Sequence, residues 1–304
     1  MTQSGTTLLK EIAQQLAAQD YRKALERLRQ GLNQLRRDLS REEWRSFCAQ
    51  TFAGDMFNQH PLSRLLKTGP LGAARGLFPH SLLLDVMYGI DKAPADLPPA
   101  AEVLRDWELS LHFCVSLRAR HQLFVRELGD LGNTARAPRV LAVGCGHLRE
   151  AAAAFSLENM RGAELVAFDR DRSCIDLIER EYHFPGLRTI SGSQRQLTSD
   201  STLGEFNFIY LPTLLDTFED FRVRALLSSL LPMLKRGGRL LAANFSPELG
   251  DAAFLEACLD WWPFYRGEEE WAALLGQLSG QNIRGQAVFR DDSGGSIFVD
   301  LQAI

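Results

Sequence analysis

The sequence predicts an α/β protein in which a doubly wound, seven-stranded sheet with a C-terminal antiparallel hairpin follows an all-helical N-terminal domain. Over about the first 130 residues, apolar residues recur every three or four positions, as on the buried face of amphipathic helices. After residue 138, short strand-like runs alternate with helical stretches, which is typical of parallel βαβ units. The turn-forming segment Gly132–Pro138 lies at this change, so we divide the chain into domains of residues 1–132 and 133–304.

The N-terminal domain is predicted to consist of helices joined by turns. Helical spacing of apolar residues runs from residue 6 to about 50, and Ser40 with Glu43 forms a capping box that opens a further helix. Short helices with turns are expected over 60–89, followed by a turn-rich connection and a helix from Ala101 to about Leu131. We expect this domain to act as a lid and as a wall of the substrate pocket.

The second domain contains five strand-like runs separated by helices. The predicted strands are Arg139–Val143, Glu164–Phe168, Arg188–Ser191, Phe206–Leu211 and Arg239–Asn244. The predicted helices between them cover about 147–160, 171–182 and 219–235. We expect a tight turn at Lys235–Arg239 to lead from the last of these helices into the fifth strand.

The C-terminal pattern differs from that of a purely parallel sheet. Helices are predicted over 249–262 and 267–279, and two further strand-like runs flank the connection Asp291–Gly295, which is a hairpin signal. A parallel sheet that finishes in an antiparallel hairpin is the usual layout of class I S-adenosylmethionine-dependent methyltransferases, and it is not the usual layout of dinucleotide dehydrogenases.

Composition and charge argue against several classes of function. The net charge of −4 gives no basic footprint for nucleic acid, and no apolar run reaches the length of a transmembrane helix, about 18 residues. The N-terminus lacks the layout of a signal peptide. Five scattered cysteines and six histidines show no metal-ligand spacing, so we expect no metal and a reducing, cytoplasmic compartment.

The junction between the first strand and its helix predicts a cofactor site. Gly144 and Gly146 permit a sharp turn and a close approach of a ligand to the backbone, and Cys145 between them is a small residue lining the same site. Asp169 ends the second strand 23 residues after Gly146, near the interval at which a carboxylate accepts hydrogen bonds from ribose hydroxyls. Asp171 is the competing acid, but a helix N-cap is its expected role.

Other side chains near these strand ends extend the predicted cofactor site. Arg149 stands where a dinucleotide fingerprint has its third glycine, and its bulk would obstruct a pyrophosphate. Arg170, directly after Asp169, is assigned to the cofactor site. Ser193 and Gln194 are placed to contact an adenine ring, or they are turn residues only.

Tyr210, His147 and Arg266 are the main candidates for catalysis. Tyr210, in the fourth strand, would lie beneath the transferring methyl group, or it satisfies local backbone. His147 could act as a general base if the acceptor is a hydroxyl or an amine, and Asp216 and His183 are the other candidates for that base. Arg266 follows an aromatic cluster and could bind an anionic substrate, or it is paired with a nearby acid in the core.

Several motifs in order give the chain a family resemblance. The first motif reads Cys145-Gly146-His-Leu-Arg149-Glu150, and the fourth contains Tyr210, Leu214 and Asp216. Together with the later Asp-Trp and Tyr-Arg pairs, they resemble the bacterial extracellular-factor (3-hydroxypalmitic acid methyl ester) biosynthesis methyltransferase family. The resemblance covers about residues 40 to 304. It implies S-adenosylmethionine as cofactor and methyl transfer from its sulfonium centre to a small-molecule acceptor.

One segment departs from the family pattern. Between its His-Pro-Leu and Leu-Asp-x-x-Tyr-Gly elements the family has a Lys-Pro-Arg-Gly-Tyr-Ala-Gly-Asp segment, whereas this chain has the shorter Gly69–Leu83. If that segment helps to cover the active site, the acceptor here differs, so a fatty acyl carboxylate is not carried over directly.

The sequence therefore predicts an S-adenosylmethionine-dependent methyltransferase acting on a carboxylate or hydroxyl oxygen of a small molecule, in bacterial secondary metabolism. Two alternatives stay open: a degenerate methyltransferase-fold scaffold or partner protein, and, less favoured because of Arg149, a nicotinamide-dependent oxidoreductase. The amphipathic N-terminal helices also suggest a homodimer interface.

Overall fold

The computed structural model describes residues 3–52, 55–73, 81–90, 97–155, 160, 162–278 and 283–304. Its helices, in chain order, are α1 (Gln3–Ala17), α2 (Tyr21–Asp38), α3 (Arg41–Phe52), α4 (Asp55–Asn58), α5 (Pro61–Leu66), α6 (Pro70–Ala73), α7 (Ser81–Tyr88), α8 (Pro99–Ser110), α9 (His112–Thr134), α10 (Arg149–Phe155), α11 (Arg172–Glu181), α12 (Gln194–Ser199), α13 (Asp220–Leu230), α14 (Ala252–Cys258) and α15 (Glu268–Gly276). Its strands are β1 (Arg139–Val143), β2 (Glu164–Asp169), β3 (Leu187–Ser191), β4 (Phe206–Leu211), β5 (Leu234–Phe245), β6 (Ile283–Arg290) and β7 (Ser296–Ala303).

The chain separates into two compact units. The helical unit is Met1–Val115 with Leu249–Trp262, and the sheet unit is Ser116–Glu248 with Pro263–Ile304. Packing therefore groups residues 116–132 with the sheet, whereas the sequence boundary at residue 132 follows secondary-structure type. The division into a lid domain and a cofactor domain stays a prediction.

In the helical unit, the long helical pattern before residue 50 is divided into three helices. Gln19 has a left-handed φ of 61° between α1 and α2, and Leu39 is extended after α2. The predicted capping box is confirmed: Ser40 Oγ accepts from the N–H of Glu43, and the Glu43 carboxylate accepts from the N–H of Ser40. A capped start and a left-handed break divide a pattern that apolar spacing alone leaves continuous.

The sheet unit confirms the predicted seven-stranded, doubly wound architecture. The strand order is β3-β2-β1-β4-β5-β7-β6, with β1 to β5 parallel and with β7 antiparallel to both β5 and β6. The chain runs outward from β1 to β3 and then returns to place β4 on the other side of β1. Ligands of open α/β sheets bind beyond the carboxyl ends of the strands at such a reversal, so this order points to the ends of β1, β2 and β4.

Two apolar clusters cover the faces of this sheet. Side chains of α9, α10 and α11 pack on one face, and side chains of α12, α13 and α15 pack on the other. Successive strand residues alternate between them: Ala142 belongs to the first cluster and Val143 to the second. Burial on both faces explains why these strands read as continuous apolar runs.

The segment Lys235–Arg239 differs from the predicted tight turn. It is part of β5, because Leu234 already pairs with Phe206, and the register with β4 shifts before Arg239 pairs with Phe208. Gly237 has a φ of 72°, which allows the extra residues to bulge out of the strand. The glycines therefore form a bulge within the strand.

In the described ranges, no helix is both long and apolar enough to span a membrane. Over the same residues, no group of three or more histidine, cysteine, aspartate or glutamate side chains has a metal-binding arrangement.

Candidate functional site

The loop after β1 is a compact turn held against the end of β2. Gly144 and Gly146 have φ values of 65° and 52°, and Leu148 has 57°. The backbone N–H groups of Gly144 and Cys145 both donate to the carbonyl of Phe168, at 2.9 and 3.1 Å. Glycine adopts positive φ without steric cost, so the predicted glycines stand where this turn requires them.

Asp169 joins the glycine loop to the start of α11. Its Oδ2 accepts from the N–H of Gly146 at 2.9 Å, and its Oδ1 accepts from the N–H of Asp171 at 2.8 Å. Burial raises the pKa of the Asp169 carboxyl, while hydrogen bonds from the backbone of Asp171, Gly146 and Arg170 act in the opposite direction. A carboxylate has about four acceptor positions, so this group retains capacity to accept from a ligand hydroxyl.

Gly144 also packs against a second segment, Pro212–Thr217, which follows β4. We call Pro212–Thr217 the floor segment. A Cβ built on Gly144 would stand 3.0 Å from Cβ of Leu214, in the middle of this segment. A side chain at position 144 would therefore displace Leu214, and only glycine permits this contact. Leu214 therefore fills the space next to Gly144 on this side, and its apolar side chain helps to shape the loop that follows β1.

Asp171 takes its expected role, and Cys145 is a small buried residue whose place in the cofactor site stays a prediction. Cys145 is buried, its Sγ donates to the carbonyl of Gly146, and burial raises the pKa of the thiol well above its usual range. A thiol in that state is a poor nucleophile. Asp171 is confirmed as the N-cap of α11, where its Oδ1 accepts from the N–H of Ser173 at 2.9 Å.

His147 and Arg149 are held on the helix side of the loop. Arg149 Nη1 donates to Glu181 and to the hydroxyl of Tyr182, and that hydroxyl donates to the carbonyl of His147. The His147 side chain is buried. These contacts fix the loop backbone after Gly146, and the role of His147 as a base stays a prediction.

The polar residues after β2 and β3 differ in their exposure and contacts. Arg170 and Ser193 are exposed, and Gln194 is half-buried as the first residue of α12. The Ser193 hydroxyl accepts from the N–H of Gln196 in a capping box, which favours the turn-residue interpretation of Ser193. Adenine contact by Gln194 stays a prediction.

Tyr210 is fully buried in β4. Its ring centroid lies 5.9 Å from that of Phe208 and 5.4 Å from that of Phe124 on α9. The ring therefore belongs to the aromatic packing between the sheet and α9. The assignment of Tyr210 to the cofactor site and to catalysis stays a prediction. The ring contacts described above are with aromatic residues of the core.

Arg266 is 2% exposed, and protein acceptors use most of its donors. Nε donates to Asp220, Nη1 donates to Asn244 and to the carbonyl of Leu215, and Nη2 donates to the carbonyl of Phe218 and forms an ion pair with Asp220. A guanidinium has five N–H groups, and four of them donate to protein acceptors here. The geometry favours the alternative interpretation, in which Arg266 is paired with a nearby acid.

A buried ion pair at the ends of β4 and β5 was not predicted from the sequence. Asp216, in the floor segment, is 0% exposed; its Oδ2 accepts from Arg120 Nη1 at 2.7 Å, and its Oδ1 accepts from the Asn244 amide and the Phe245 N–H. One feature of the sequence could have indicated this ion pair. Arg120 lies at helical spacing among apolar residues of α9 that are fully buried, so its charge requires a buried partner. These apolar residues are Phe113, Leu117, Phe124 and Leu128.

The predicted site residues thus fall into two groups. At the ends of β1 and β2, Gly146 donates to Asp169 and Gly144 donates to the carbonyl of Phe168, the residue before Asp169. Arg266 lies with Asn244 at the end of β5, and Leu214 links the floor segment to Gly144.

Comparison with known proteins gives a likeness of fold. No protein-family model and no curated protein matches the chain. A Bordetella parapertussis protein, described as a possible exported protein, has a similar structure with a TM-score of 0.60, 16% identity and coverage of 100% of this chain and 99% of its own. A Thermobifida fusca YX protein, whose description proposes a methyltransferase, has a TM-score of 0.54, 14% identity and coverage of 72% and 92%. The sheet unit therefore has the Rossmann-like fold of class I methyltransferases.

Proposed function

We propose that this chain is an S-adenosylmethionine-dependent methyltransferase that acts on a small molecule. The observation that carries the proposal is the direct bond between the Gly146 N–H and the Asp169 carboxylate, 2.9 Å long, at the carboxyl ends of β1 and β2. It brings a backbone surface without side chains next to a carboxylate with unused acceptor positions. That combination suits an amino-acid portion and a ribose joined in one ligand, and Arg149 in place of a third glycine disfavours a pyrophosphate.

When bound, the cofactor supplies an electrophilic methyl group. Gly144 and Gly146 would contact its methionine portion, and Asp169 would accept hydrogen bonds from its ribose hydroxyls. Leu214 would exclude water above Gly144. Methyl transfer depends mainly on proximity and alignment of the reacting atoms, which positioning residues supply.

We assign the acceptor to small molecules with a carboxylate or hydroxyl oxygen. A carboxylate is already anionic and requires no general base, whereas a hydroxyl would use His147. The extracellular-factor biosynthesis family is the proposed subfamily, with a role in bacterial secondary metabolism in the cytoplasm. A homodimer through the N-terminal helices completes the proposal, and light scattering on the purified chain tests it.

Asp169→Ala tests the ribose contact. The substitution should raise the dissociation constant for S-adenosylhomocysteine by about a hundredfold, since each lost charge-assisted hydrogen bond costs roughly 1.5–3 kcal/mol. Isothermal titration calorimetry at a temperature where the variant is folded measures this change.

The matched control is Asp171→Ala, two residues away. It removes the cap of α11 and so lowers stability by about 1 kcal/mol, but it leaves the Asp169 carboxylate in place. Its affinity for S-adenosylhomocysteine should equal that of the wild type. Normal binding by Asp169→Ala would contradict the assignment, and binding of NADH in preference to S-adenosylmethionine would favour the oxidoreductase alternative.

A further inference from the structure

The buried ion pair Arg120–Asp216 raises the question of why a charged pair lies in this core. Both side chains are essentially excluded from solvent, at 1% and 0% exposure. Removing two charges from water is costly, and a buried pair often adds little net stability compared with apolar residues of similar volume. Stability is therefore a weak explanation for its presence.

The guanidinium of Arg120 is not arranged for complete hydrogen bonding. Its Nε donates to Ser296 at 3.0 Å and its plane lies over the ring of Phe245, but its buried Nη2 has no hydrogen-bond partner in the described part of the chain. An unsatisfied buried donor lowers stability. Departures of this kind from optimal pairing are typical of functional positions.

Arg120 forms hydrogen bonds to the floor segment near both of its ends. Nη1 donates to the carbonyl of Pro212 at 3.1 Å and to Asp216 Oδ2 at 2.7 Å, four residues further on. Leu214 lies midway between these two anchors, and its Cβ stands over Gly144. One rigid guanidinium on α9 therefore fixes the two ends of a short turn whose middle residue covers the glycine loop.

We propose that Arg120 is a positioning residue that acts through Leu214 to shape the cofactor site around Gly144. The planar guanidinium is required because it presents donors in a fixed geometry to Pro212, Asp216 and Ser296 together. A lysine ammonium is a point donor on a flexible stem and cannot replace all three contacts. The inference rests on the proposed function, because its first readout is cofactor binding.

Arg120→Lys is the decisive variant, since it keeps the buried positive charge but loses the planar guanidinium with its several donors in fixed geometry. We expect the dissociation constant for S-adenosylhomocysteine to rise by about tenfold, because the floor segment loses its anchors and Leu214 shifts relative to Gly144. Calorimetric titration is carried out below the thermal transition of the variant, so that only folded protein is measured.

Arg36→Lys is the matched control. Arg36 donates two hydrogen bonds, of 2.8 and 2.9 Å, to the buried carboxylate of Glu256 in the helical unit. The same substitution therefore again removes a guanidinium that is paired with a buried acid. This variant should lose thermal stability and keep the wild-type affinity. An equal loss of affinity in both variants, or none in Arg120→Lys, would overturn the proposal.

A double-mutant cycle with Leu214→Ala tests whether Arg120 acts through Leu214. If it does, the effects of Arg120→Lys and Leu214→Ala on the dissociation constant should not multiply in the double variant. Multiplicative effects would mean that Arg120 acts by another route and would refute the inference.

A second readout does not depend on the proposed function. In the ligand-free protein, the amides of Gly144, Cys145 and Gly146 should exchange with solvent about tenfold faster in Arg120→Lys than in the wild type or in Arg36→Lys. A wild-type chain that bound neither S-adenosylmethionine nor S-adenosylhomocysteine would refute the proposed function, and the exchange rates would still decide the role of Arg120.

Discussion

At the scale of single residues, Gly144 shows how close packing limits the choice of side chain. Its φ of 65° is in the left-handed region, and a Cβ there would stand 3.0 Å from Cβ of Leu214. The positive φ is a property of the local backbone, whereas the close contact with Leu214 is a property of tertiary packing. A comparison with Gly294, which has a φ of 72° and nothing within 4 Å of an added Cβ, separates the two.

Gly144→Ala should lower the free energy of unfolding more than Gly294→Ala does. Gly294→Ala adds only the left-handed penalty, roughly 1–2 kcal/mol, whereas Gly144→Ala also displaces Leu214. Gly144→Ala should in addition weaken S-adenosylhomocysteine binding. Urea denaturation and calorimetric titration of both variants measure these effects, and equal losses with unchanged affinity would show that the Leu214 contact is unimportant.

At the scale of elements, α8 contains a buried acid that makes stability depend on pH. Glu108 is 0% exposed, and its Oε2 accepts from the N–H of Leu71 at 3.2 Å. Burial raises the pKa of Glu108 to about 8 from an ordinary value of 4.5. The folded chain therefore keeps this proton over a pH range in which the unfolded chain has lost it.

The free energy of unfolding should fall as pH rises through that range. The contribution of Glu108 is fully present below pH 4.5 and is lost between 4.5 and about 8, by roughly 1.4 kcal/mol per pH unit. Glu108→Gln, which cannot ionise, should flatten this dependence in urea denaturation at pH 5.5 to 7.5, values chosen within the expected range. Glu102→Gln changes an exposed carboxylate of the same helix and should leave the slope as it is.

The elements also show what local pattern can and cannot predict. The bounds of β1, β4 and the closing hairpin follow from apolar runs and from turn residues, and the structure confirms them. The bulge in β5 was wrongly predicted as a turn, because two glycines read as a turn whether or not Leu234 already pairs with β4. Strand pairing is a property of two distant segments, which residue spacing within one segment does not contain.

At the scale of the whole molecule, the Arg266 side chain connects several segments of the sheet unit. Its side chain joins the end of β5, the floor segment and the start of α13 through Asn244, Leu215 and Asp220, and its N–H donates to the carbonyl of Phe245. The substrate-binding role predicted for Arg266 required a free guanidinium, and the fold uses that group for its own packing.

Arg266→Met should lower the free energy of unfolding by about 2–5 kcal/mol, because the buried carbonyl of Leu215 and the buried side-chain oxygen of Asn244 lose a donor, at roughly 1–3 kcal/mol each. The control is Arg290→Met, which removes an arginine that is 33% exposed and paired with Glu248 and Glu268. That change should cost clearly less, because solvent screens ion pairs at the surface. Chemical denaturation of both variants decides between a structural role and a free binding group, since a small loss at Arg266 would contradict the first.

The amino-acid sequence alone determined the α/β class, the seven strands, the C-terminal hairpin and the positions of Gly146 and Asp169 at the ends of the first two strands, because these depend on apolar periodicity and on residues at fixed short spacing. Only the tertiary structure decided that Leu214 packs against Gly144, that Arg120 bonds to the floor segment and that Arg266 bonds to Asn244 in the core. Those contacts join residues far apart in the chain, and the direction of a long side chain is set by the partners that packing brings to it.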